Sequence, residues 1–188
     1  MNRFLILATV LLLLGMVLWL ASRPDAASQQ MPEIAGFVSD RVQTIEIAGG
    51  EASPIRFKRM GAGWQLLMNA GEWHDANGDA VSHLLNDLAA MKPIRVVTRN
   101  PEQHQRLKVG SKAIRVTLND QHGVVLLEVL IGKQGSDLLS TYVRMAGQHE
   151  VLAVDRSLVW QVSRPLDGWQ GREALPVEGV ANSEASSE

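Results

Sequence analysis

Short runs of alternating apolar and polar residues, each closed by a turn, set the limits on this chain's fold. In VQTIEIAGG, Ile45 and Ile47 alternate with Thr44 and Glu46 before Gly49-Gly50. In PIRFKRM, Ile55 and Phe57 alternate with Arg56 and Lys58, and in GWQLLM, Trp64, Leu66 and Met68 share one side. A strand turns successive side chains to opposite faces, so these runs predict half-buried strands in an antiparallel meander.

The period then changes. In DAVSHLLNDLAAMK, Val81, Leu84, Leu85, Leu88 and Met91 form one stripe of a helix, with Asp79 as the expected N-cap and Pro93 closing the far end. IRVVT reads as a short strand, and PEQHQRL opens with proline as a helical turn. A second strand series follows. AIRVTLND alternates, HG turns, and VVLLEVLIG is apolar on both sides, which predicts a central strand covered on both faces. STYVRMAG and EVLAVD are joined through Gly147-Gln148-His149, and Asp155 is expected to cap a short helix stopped by Pro165. The predicted fold class is α+β: antiparallel β-meanders packed with two or three short helices, after an N-terminal transmembrane helix.

That transmembrane reading rests on residues 4–21, FLILATVLLLLGMVLWLA, which carry no charge. As a helix at ~1.5 Å per residue they span about 27 Å, close to the ~30 Å hydrocarbon core. The stretch exceeds the ~7–15 residues of a cleavable signal, and no small-x-small site follows it, so a retained signal anchor over 1–21 is expected rather than a cleaved peptide. Residues 22–40 read as a polar, proline-containing linker, 41–175 as one periplasmic α+β domain, and 176–188 as a disordered acidic tail. The expected location is the bacterial inner membrane, single-pass, with the domain in the periplasm. The chain has no cysteine, which excludes disulfides, thiolate metal sites and cysteine nucleophiles.

Motifs of catalysis are missing from the sequence. Gly132-Lys133 follows an apolar run, but a phosphate loop needs glycine where Leu127 stands and a hydroxyl where Gln134 stands. Asp75, Asn77 and Asp79 resemble the start of a calcium loop, but Ala80 and Asn86 occupy the places of its glycine and glutamate. His74, His83, His104, His122 and His149 show no metal-ligand spacing, and no serine nucleophile motif occurs. No enzyme activity, metal or cofactor is therefore expected.

One charge feature stands apart. Lys92, Arg95, Arg99, Arg106, Lys108, Lys112 and Arg115 face a single acid, Glu102, in the same stretch. The plain reading is a solvated edge and loop. The functional reading is a basic face toward anionic lipid or an acidic protein partner. No nucleic-acid reader motif is present, and nucleic acid is not an expected partner. Trp64, Trp73 and Trp169 are either core residues or the lining of a groove for glycan or peptide.

In series, VQTIEI, GWQL, AVSHLLNDLAAMK, VLIGK, STYVRMAGQHEVLAVD and LDGWQGREAL resemble the domain of unknown function 4340 family over roughly residues 40–175. The ending Trp169-Gln170-Gly171-Arg172 departs from that family's usual more charged ending after its last tryptophan. The resemblance implies a bacterial envelope protein, often encoded near ABC-type export systems of the gliding-motility kind. It supplies no catalytic residues. The expected function is a membrane-anchored interaction module with an envelope or ABC-transporter partner. The alternative is a periplasmic ligand-binding domain.

Overall fold

The computed structural model describes residues 12–16, 31–32, 34, 36–50, 52–68 and 71–171. The chain divides into two compact units, Met1–Pro32 and Glu33–Glu188. In the first, residues 12–16 are helical. The rest of the expected anchor over 1–21 lies outside the described residues, as does the acidic tail over 176–188. Among the described residues, no helix is long and apolar enough to cross a membrane.

In the second unit, β1 (Thr44–Gly49), β2 (Ala52–Met60), β3 (Gly63–Leu67) and β4 (Trp73–Asp75) form one meander. Helix α1 (Gly78–Ala90) follows, then β5 (Pro93–Thr98). A second meander comprises β6 (Ile114–Asn119), β7 (Val125–Gln134), β8 (Thr141–Met145) and β9 (Val151–Val154), and is followed by the short helix α2 (Val159–Val162). Every pairing is antiparallel, and the sheet order is β4-β3-β2-β1-β6-β7-β8-β9-β5. The two meanders meet where β1 pairs β6, with Ile45 opposite Leu118 and Ile47 opposite Val116. The chain therefore runs from β4 at one edge, through α1, to β5 at the other edge.

This layout follows from the alternation. Ile45, Ile47, Phe57, Trp64, Leu66, Val116, Leu118, Val129 and Val143 join one buried cluster with Val81, Leu84, Leu85 and Leu88 of α1. Burying each such aliphatic side chain stabilises by about 1.5–3 kcal/mol, so the helical stripe fixes α1 onto that face. Ile34 and Phe37, in the stretch read as linker, also pack against this cluster. On the opposite face, Leu107, Val109, Tyr142, Val151 and Ala153 form a smaller cluster beneath the loop between β5 and β6. Strand β7 lies between the two layers. Val129 and Ile131 belong to the first cluster, while Leu130 between them is 4% exposed, so the doubly apolar run is a doubly covered strand.

Three local expectations differ. Asn77, not Asp79, caps α1: its backbone is extended and its side chain accepts from Ala80 N at 3.1 Å. Asp79 lies inside the first turn, where a carboxylate meets the positive end of the helix dipole. Asp155 caps no helix. Its N–H donates to Lys92 O and its Oδ1 accepts from Lys92 N, which ties the end of β9 to the start of β5. Strand β4 was hidden because all three of its residues are exposed and give no apolar alternation.

Candidate functional site

Alternation places the charges of the central strands on the face that α1 leaves free. Ile55 and Phe57 pack inward, so Arg56 and Lys58 point outward. Val116 and Leu118 pack inward, so Arg115 and Thr117 point outward, as does Arg144 beside inward Val143. Register aligns one row of this face as Ala48, Arg115, Leu130, Arg144 and Val151. Two guanidinium groups thus flank one leucine.

The two arginines are held differently. Arg115 pairs with Glu128 at 3.0 Å. Arg144 pairs with no carboxylate among the described residues. Its Nε–H donates to Val109 O at 3.0 Å and an Nη1–H donates to Gln148 O at 2.9 Å. Burial first, and then the Arg115 charge, lower the Arg144 pKa from its ordinary value. Arg144 also pins the covering loop, because Val109 belongs to it.

That loop carries the middle of the basic segment. Residues Pro101–Gln103 form a 3-10 turn capped by Asn100, whose side chain accepts from Glu102 N. The turn ends in a Schellman arrangement: Val109 N–H donates to His104 O and Lys108 N–H to Gln105 O. Lys108 consequently sits at φ 59°. The loop then docks on β7, where Lys133 N–H donates to Leu107 O at 3.1 Å. Arg106, Lys108 and Lys112 stand exposed along it.

The expected basic segment is therefore brought together only in part. Arg106, Lys108, Lys112 and Arg115 share the free face, and Arg95 joins them by pairing opposite Ala153 of the second cluster. Arg99 is bound to Glu150 at 3.6 Å. Lys92 lies at the start of β5, where its backbone is engaged by Asp155. Sequence reasoning missed Arg56, Lys58 and Arg144, which reach this face through strand pairing and not through proximity in the chain.

The tryptophans do not gather. Trp169 is fully buried, with its ring edge-on to Phe57 at 5.1 Å. Trp64 is 7% exposed and lies under the Arg59 guanidinium. It lines a cavity of about 450 Å³ with Ser39, Asp40 and Arg59, which neither Trp73 nor Trp169 lines. Trp73 is exposed on β4. Among the described residues, no group of three or more histidine or acidic side chains could hold a metal ion. The buried His104 instead places Nε2 2.9 Å from His149 O.

The fold and this face define a class: an antiparallel sheet domain with a helix on one side and a basic loop on the other. The chain belongs to the family described as Domain of unknown function (DUF4340), whose model matches residues 64–184. The match begins in β3, so β1 and β2 fall before it, although β1 pairs directly with β6. No curated protein and no solved structure matches the chain.

Proposed function

We propose that this protein is a membrane-anchored, non-enzymatic interaction module of the bacterial envelope. Its domain lies in the periplasm and meets an acidic surface of an envelope or ABC-type export protein through the basic face. The observation that carries this reading is that Arg56, Lys58, Arg95, Arg115 and Arg144 share one sheet face with Arg106, Lys108 and Lys112 of the covering loop. On the sheet itself, the acids facing them, Glu46 and Glu128, are already engaged by Arg56 and Arg115. Such a charge excess speeds encounter with an acidic partner and fixes its orientation. The apolar stretch over residues 4–21 supports the tether, which would raise the domain's effective concentration near a membrane partner.

The test is crosslinking in the native membrane, followed by identification of what is captured. An envelope or export subunit should be recovered with the natural chain and lost when Arg95, Arg106 and Lys112 are changed to glutamate. Recovery of this chain alone, or of anionic lipid alone, overturns the reading.

A further inference from the structure

The covering loop does more than close the second layer of the core. Between it, the start of β6 and the far end of β7 lies a cavity of about 470 Å³, within the ~300–1,000 Å³ range of small-ligand sites. Ala113, the part-exposed Ile114 and the buried Ile131 border it, and Lys108 and Lys112 are its charged residues. Gly50, Gly110 and Gly132 line it with bare backbone.

One of these glycines is required by the packing. A Cβ on Gly132 would lie 2.5 Å from Leu107 O and 2.6 Å from Val109 Cγ1, whereas one on Gly110 would meet only the flexible end of the Gln105 side chain. At Gly132, space is therefore kept by a residue that cannot be enlarged without moving the loop. The charge is kept at a cost as well. Lys108 occupies the left-handed C′ position of the Schellman turn, where glycine is the usual residue. A side chain there costs about 1–2 kcal/mol of backbone strain. Neither Lys108 nor Lys112 is ion-paired among the described residues.

We propose that this cavity binds a small organic acid, with its short apolar body beside Ala113 and Ile114 and its carboxylate toward Lys108 and Lys112. An apolar wall beside two unpaired ammonium groups strengthens the attraction for an anion, because the wall excludes water from one side of the charge. The same apolar surface disfavours a bare, fully hydrated anion such as phosphate. This site does not depend on the partner reading above, since a free ligand would occupy it without any protein contact.

The experiment uses the full chain, labelled with ¹⁵N-glycine, in nanodiscs of zwitterionic lipid. Hexanoate, hexanamide and inorganic phosphate are titrated at matched ionic strength. Hexanoate should shift the Gly50, Gly110 and Gly132 amides saturably, and hexanamide and phosphate should each bind about tenfold more weakly or less. The Lys108→Gln/Lys112→Gln double variant should bind hexanoate no better than the natural chain binds hexanamide. Hexanamide binding as tightly as hexanoate overturns the proposal on the natural chain alone, whatever the variant does. So does unchanged hexanoate binding by the folded double variant, a preference for phosphate, or the absence of any saturable shift at the three glycines.

Discussion

A Cβ placed on Gly132 would lie 2.5 Å from the carbonyl oxygen of Leu107 and 2.9 Å from that of Tyr142. The backbone of β7 thus touches both the covering loop and the neighbouring strand, and no side chain fits between them. Gly132→Ala is expected to destabilise the domain by about 1–3 kcal/mol, the usual cost of overpacking. Urea unfolding at neutral pH measures it. An unchanged midpoint would show that the loop yields freely.

Lys108→Gly should act in the opposite direction. Glycine relieves the left-handed backbone at φ 59° but adds freedom to the unfolded chain, so the net gain is about 0.5–1 kcal/mol. A rise in the thermal midpoint confirms the turn geometry, and a fall would contradict it.

Thr141 is fully buried and joins β8 to the segment before α2. Its hydroxyl donates to Arg156 O at 2.7 Å and accepts from Leu158 N at 2.9 Å. Thr141→Val keeps the shape but orphans the buried Leu158 N–H and the part-buried Arg156 carbonyl, at about 1–3 kcal/mol. Thr141→Ser retains the hydroxyl and should cost less. Equal losses in chemical denaturation of the two variants would remove the hydrogen bonds as the cause.

Asp137 organises the β7–β8 turn, accepting from Ser140 N, Ser140 Oγ and Leu139 N. The backbone hydrogen bond from Ser140, then that from its hydroxyl, holds the Asp137 pKa below the ordinary 3.8. The folded state therefore favours the carboxylate. Its contribution is fully present above the ordinary value and is lost as the pH falls through the lowered one. Asp137→Asn should reduce stability at pH 7, and the gap to the natural chain should close in acid. Urea melts across that range would sink the idea if the gap stayed constant with pH.

Much of this architecture was legible because one-sided burial leaves a period. Ile45, Ile47, Phe57, Leu66, Val116 and Leu118 alternate because α1 covers only their face. The stripe from Val81 to Leu88 was readable for the same reason. What could not be read was anything set by partners distant in the chain. The pairing of β1 with β6 leaves no local mark, and β4 exposes every residue. The basic segment was visible as a run of charge. Its union with Arg56, Lys58 and Arg144 depends on register, the separation of Trp64 from Trp73 depends on which side of each strand meets the helix, and Trp169 is buried from a 3-10 turn after α2.

The outer strands of the sheet bear on how such a domain can meet another molecule. β4 has only three residues, and β5 begins with a proline and breaks register twice along β9. A proline offers no N–H, and a bulged or very short border gives an incoming peptide little to pair with. The domain is thus poorly suited to recruit others by lengthening its sheet, and equally guarded against stacking with copies of itself. Contact is left to flat surfaces and side chains, where recognition depends on charge and shape instead of shared backbone pairing.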